Sequence, residues 1–161
     1  MRQTKINVNL AGLEKMQREL GNSYIGRVGV LGSHVARTDK SGISNSELML
    51  IQMFGSKTNN IPPRDPLLAP IQMHKREIIK DMGSASVRDA FKRGNYLLVY
   101  QLLAQSAANF CHLAFDTGGF GLWPKLKPQT IARKGSSAIL IDTRQLERSV
   151  TSDVVRKGEN K

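Results

Sequence analysis

The chain has 161 residues, 40% of them hydrophobic, and 24 Lys plus Arg against 13 Asp plus Glu give a formal net charge of +11. That length holds one compact domain and excludes two of ordinary size, while the hydrophobic content excludes wholesale disorder. So large an excess of cations on a small domain disfavours an acidic or neutral neighbour and points to a polyanion, with nucleic acid first.

In chain order, Lys5 to Asn9 alternates side chains in the manner of a short strand, with Ile6 and Val8 β-branched. Leu10, Leu13, Met16 or Gln17, and Leu20 mark an amphipathic helix that stops at Gly21-Asn22. Tyr24 to Gly32 has strand composition, with Val28 and Val30 on one face and glycines that imply either a bulge or the close approach of another backbone. Ser33 to Ile43 is a polar loop, read as a solvated connection or as an arm that reaches a partner through Arg37 and Lys40.

The stretch from Ser44 to Pro70 organises the rest. Ser44 followed by Glu47 is a capping box, so a helix starts at Asn45. Leu48, Ile51, Met53 and Phe54 give it an apolar spacing, and Gly55 closes it in a left-handed conformation. Ile61-Pro62-Pro63-Arg64-Asp65-Pro66 is a stiff extended strut that positions Arg64, either as an assembly anchor or as a solvated side chain on a rigid connector.

A second helix is expected from Pro66 to Met82, with Asp65 as its N-cap, and a third from Ser86, capped with Asp89, to Arg93. Tyr96 to Phe115 is the longest apolar helix, and its apolar residues cover more than one stripe. It therefore buries several sides, in this domain's core or against a neighbouring subunit. Beyond a glycine-rich turn at 116–121 comes the proline-stiffened basic segment Leu122 to Pro128, and then at most one helical turn over Thr130 to Lys134. A short strand follows at Ile139-Leu140-Ile141, a turn or two capped by Asp142 or Thr143, and a last strand from Thr151 to Val155. The fold class is α+β in a single domain over residues 1–155, a small mixed or antiparallel sheet packed against two to four helices, with residues 156–161 fraying.

Little in the sequence points to catalysis. Cys111 is alone, which excludes an intrachain disulfide and a cysteine zinc site. His34, His74 and His112 lack metal-ligand spacing, Gly118-Gly119-Phe120-Gly121 lacks the Lys and hydroxyl of a phosphate loop, and Glu77 and Asp81 sit among Lys75, Arg76 and Lys80 as helix-surface ion pairs. No enzyme activity, cofactor or metal is expected. Trp123 either anchors a subunit interface or caps the domain's own core. No apolar run reaches the roughly 18 to 20 residues that span a bilayer, so the expectation is a soluble protein without a membrane partner, made in a cytoplasm.

Several of these pieces stand in one order: Gly29-Val30-Leu31, Phe54-Gly55, Ile61-Pro62-Pro63-Arg64, Leu122-Trp123-Pro124-Lys125-Leu126-Lys127-Pro128, and Ile139-Leu140-Ile141-Asp142-Thr143 followed by Gln145-Leu146. The chain thereby resembles the virion-morphogenesis or tail-completion proteins of long-tailed bacteriophages, over most of its length from Val28 to Val155. It departs from the family pattern at Gln52 and Met53, where His-Glu often stands, at Asp65-Pro66-Leu67, where an aromatic often follows, and at Arg144, where glycine is common. The resemblance implies a structural neck protein of the virion, synthesised in the host cytoplasm. It would assemble as a homo-oligomeric ring, a hexamer on the family pattern, between the head-side adaptor or portal complex and the tail terminator or tail tube. Double-stranded DNA would pass through its lumen. On that resemblance the candidate assembly residues are Arg37, Lys40, Phe54, Arg64, Trp123, Lys125, Lys127 and Arg144, and reversing the charge at Arg64 is expected to impair assembly while leaving the subunit folded. A basic module that binds nucleic acid without sequence preference is the alternative.

Overall fold

In a computed structural model, residues 14–15, 17–18, 20, 23–37 and 42–158 are described. Two strands, β1 (Tyr24–Val30) and β2 (Val150–Arg156), pair antiparallel, with Tyr24 opposite Arg156 and Val30 opposite Val150. Between them in sequence lie seven α-helices: α1 (Asn45–Phe54), α2 (Leu68–Met73), α3 (Lys75–Lys80), α4 (Ala85–Lys92), α5 (Tyr96–Thr117), α6 (Pro128–Lys134) and α7 (Gln145–Ser149). The class is α+β. The described residues from 14 to 20 are helical, as the sequence pattern predicts, and the strand expected at Lys5 to Asn9 lies outside the described residues.

The long helix α5 is the spine. Asn95 caps it by accepting from Leu98 N–H, and Gly118, left-handed at φ 61, ends it. Both strands of the sheet lie on it. They approach closely because both surfaces are small. A Cβ built on Gly26 would stand 3.3 Å from the Cβ of Ala104, so the strand glycines serve close approach and the unbroken register leaves no bulge in the pair. The core gathers around α5, where Met49, Cys111, Phe115, Leu146 and Val150 are buried and Val28, Val30 and Trp123 pack against them. A second cluster of Val87, Ala90 and Val99 fixes α4 to the start of α5.

Local sequence signals fix several element ends, and tertiary packing moves others. The capping box at α1 is complete, because Ser44 Oγ accepts from Glu47 N–H while the Glu47 carboxylate accepts from Ser44 N–H at 2.7 Å. Gly55 ends α1 at φ 75 and ψ 179, an extended positive-φ conformation in place of the expected left-handed helical one. A Cβ there would meet the Ile61 carbonyl oxygen at 2.7 Å, so glycine is required by the return of the chain.

The helix expected from Pro66 to Met82 is divided at His74 into α2 and α3, and its last part is a 3-10 turn over Asp81–Gly83. Asp65 still caps it, with its carboxylate accepting from the N–H groups of Leu67, Leu68 and Ala69. The cap of α4 is Ser84, two residues before the expected Ser86. Pro128 starts α6, which is longer than the single turn expected. Ile139-Leu140-Ile141 is not a strand. Leu140 takes φ 58, and Leu140 and Ile141 instead pack onto the core from an irregular segment. Arg144, also left-handed at φ 58, starts α7 with no side-chain cap, a conformation that glycine adopts at no steric cost. β2 continues through Arg156, beyond the expected end at Val155.

Candidate functional site

After Gly55 the chain makes a tight loop in which Ser56 and Ile61 exchange backbone hydrogen bonds of 2.9 and 2.8 Å. The prolines then carry it back along α1, where Arg64 N–H donates to the Gln52 carbonyl at 2.6 Å. The strut thus aims the Arg64 side chain away from solvent. Arg64 is only 6% exposed; its Nε and Nη2 donate to the Pro124 carbonyl at 3.0 and 2.8 Å, and Nη2 also reaches the Lys125 carbonyl at 3.4 Å. No carboxylate among the described residues pairs with it, and burial lowers its pKa from the ordinary arginine value. Arg64 therefore ties the strut to the basic segment before α6. This alters the expectation that reversing its charge leaves the fold intact, because a carboxylate there would face carbonyl oxygens.

Beside this tie lies a groove of about 780 Å³. One side is formed by Leu48, Gln52, Asn60, Ile61 and Pro62; the other by Lys125, Leu126, Lys127, Thr130, Arg133 and Lys134. Arg37 and Arg64 border it, Leu140 and Leu146 contribute apolar surface, and Asp142 is its acidic member among the described residues. Lys134 Nζ donates to the Ala138 carbonyl at 2.5 Å. Its pKa is lowered chiefly by desolvation; Asp142 opposes that shift and the charge of Arg64 adds to it. The Gln52 Oε1 atom is buried and accepts no hydrogen bond from the described residues.

The candidate residues divide between groove and periphery. Arg37, Arg64, Lys125 and Lys127 come together at the groove, with Arg37 donating to Asn45 Oδ1 at 3.0 Å. Phe54 lies outside its lining and is 74% exposed. Trp123 is half-buried and meets Phe115 edge-on with ring centroids 6.0 Å apart, so much of it caps the domain's own core. Arg144 pairs with Asp116 at 3.2 Å and Glu147 at 2.7 Å, and those hydrogen bonds, Asp116 first, raise its pKa. Lys40 lies outside the described residues. Sequence reasoning did not single out Arg133 or Lys134, and it noted Gln52 only as a departure from the family pattern. The two cations carried a signal in the basic count of this segment, whereas Gln52 carried none, since its place is set by the return of the strut.

No group of three or more His, Cys, Asp or Glu side chains that could hold a metal lies among the described residues. His74 is stacked on Phe110 at 4.4 Å and tilted against Phe120 at 4.5 Å, an aromatic packing position. No helix among the described residues is long and apolar enough to cross a membrane. No family model matches the sequence, and neither a curated protein nor a solved structure matches the chain.

Proposed function

We propose that this chain is a structural subunit of a phage neck, of the tail-completion kind its sequence resembles, working as a homo-oligomeric ring around the DNA exit channel of the virion. The observation that carries the reading is the outer face of α1. Its inner face supplies Met49 to the core, yet the outer positions Leu50 and Phe54, one helical turn apart, are 54% and 74% exposed. An amphipathic helix on a finished surface turns polar residues outward, so an apolar outer face supports burial against another protein. Covering it would contribute about 25 cal/mol per Å² of apolar area, before ordering costs are subtracted. The +11 charge supports a place beside DNA, where contacts with phosphates need no base-reading element.

The test is electron imaging of head–tail joints assembled with wild-type chain and with the pair Leu50→Asp and Phe54→Asp. The proposal expects copies of the chain side by side around the channel in the first and loss of joined particles in the second, from a subunit that remains folded. An isolated copy without self-contacts in the particle contradicts it. The exposed Lys125, Lys127 and Arg133 also favour a second reading, a basic module that binds nucleic acid alone. That reading expects tight binding of duplex DNA by the isolated subunit, falling steeply with salt.

A further inference from the structure

We propose that the groove between the proline strut and α6 is a docking site for an extended acidic peptide segment of a partner protein. Two features of the groove converge on that chemistry. Arg64, more than nine-tenths buried, spends two of its nitrogens on carbonyl oxygens, and its Nη1 has no hydrogen-bond partner among the described residues. A carboxylate supplies the negative charge that carbonyl dipoles do not. Gln52 borders the same groove; its Oε1 is shut off from solvent and has no donor among the described residues, so it gains one only when the amide turns into the groove. A peptide offers backbone N–H groups to it, whereas a phosphodiester backbone offers acceptors only.

The surroundings fit the same occupant. Lys125, Lys127 and Arg133 are exposed along one side, while Leu48, Ile61 and Leu126 make the groove partly apolar. That combination accommodates acidic side chains alternating with aliphatic ones, as in a strand-like segment whose successive residues face opposite ways. The single acidic lining residue named above, Asp142, is exposed and stands near Lys134. Duplex DNA would meet the groove with a wide convex rod of phosphate acceptors, which bring neither a donor to Gln52 nor aliphatic side chains to Leu48, Ile61 and Leu126. The groove's occupancy does not depend on ring formation, so its failure and that of the ring proposal are separately visible.

The experiment measures fluorescence anisotropy of the purified full-length chain with two probes, a fluorescein-labelled peptide alternating Asp and Leu and a labelled DNA duplex. The expected result is saturable peptide binding that is reduced about tenfold or more by Lys125→Glu, Lys127→Glu and Arg133→Glu together. Gln52→Met is expected to weaken the peptide severalfold and to leave the duplex unaffected. Lys92→Glu with Arg93→Glu on α4, outside the groove, is expected to change neither fold nor peptide binding, and circular dichroism confirms folding of each variant. The proposal is overturned if the peptide does not bind, if its binding is insensitive to the groove variants, or if duplex displaces it and loses affinity in the same variants including Gln52→Met, which would make the groove a phosphate site.

Discussion

Arg64 directs its charge inward, and that orientation sets a large single-residue effect. Its guanidinium joins the strut to the Pro124 and Lys125 carbonyls through three charge-assisted bonds made almost out of solvent. Arg64→Glu is expected to cost about 3 kcal/mol or more, a fall in melting temperature of roughly 6 to 12 °C for a domain of this size, read by thermal denaturation. An unchanged melting point would show that the tie carries no stability. Cys111 is fully buried, donates weakly to the Leu67 carbonyl, and its thiol is pushed up to about 12, by burial first and then by Asp65. Iodoacetamide at pH 8 is therefore expected to leave the native chain unmodified and to label it on unfolding in guanidinium, followed by mass spectrometry. Two carboxylates contribute to the loss of stability in acid. Asp153 is held below the usual range by the Arg27 hydrogen bonds across the sheet, and Glu47 by the Ser44 backbone N–H and then its hydroxyl. A depressed folded-state pKa means that the stabilisation is present above the unfolded-state value, near pH 4, and is lost as pH falls through the lower folded-state value. Glu47→Gln with Asp153→Asn is expected to flatten the decline of stability below about pH 4 in urea titrations, and an unaltered slope would refute the assignment.

Among the elements, α1 has the most local specification and the most outward exposure of apolar side chains. Ser44→Ala removes one half of a complete capping box and is expected to cost about 1 kcal/mol, measured by urea denaturation; a loss near zero would mean that packing alone holds the helix end. The elements that could be read from the sequence are those specified within a few residues. Ser44 with Glu47 and Asp65 before Pro66 act through their own neighbouring amides. The pairing of β1 with β2 has no such signal. Arg27 and Asp153 lie opposite each other although 126 residues separate them, and either strand would read the same with another partner. Ile139-Leu140-Ile141 shows the converse, a strand-like composition that packs apolar side chains on the core without joining the sheet. The groove was half legible for the same reason. Its cations show in the composition of the segment from Lys125 to Lys134, but the inward turn of Arg64 depends on backbone carbonyls that any residues at those positions would offer.

At the scale of the whole molecule, a small sheet and a core built along one long helix leave an apolar outer face on α1 and a cationic groove beside it on the same α1–strut unit. The first feature is the expected seam between identical copies and the second a place for an acidic segment of another protein. The surplus of positive charge on the remaining surface suits a position around DNA. Self-association is the claim from which the proposed ring follows, and native mass spectrometry of the purified full-length chain over a range of concentrations tests it most directly. The account predicts a closed oligomer of identical copies, a hexamer on the sequence resemblance, that reverts to folded monomer when Leu50 and Phe54 are both replaced by Asp. A wild-type chain that stays monomeric at every concentration, with duplex DNA present or absent, would contradict it.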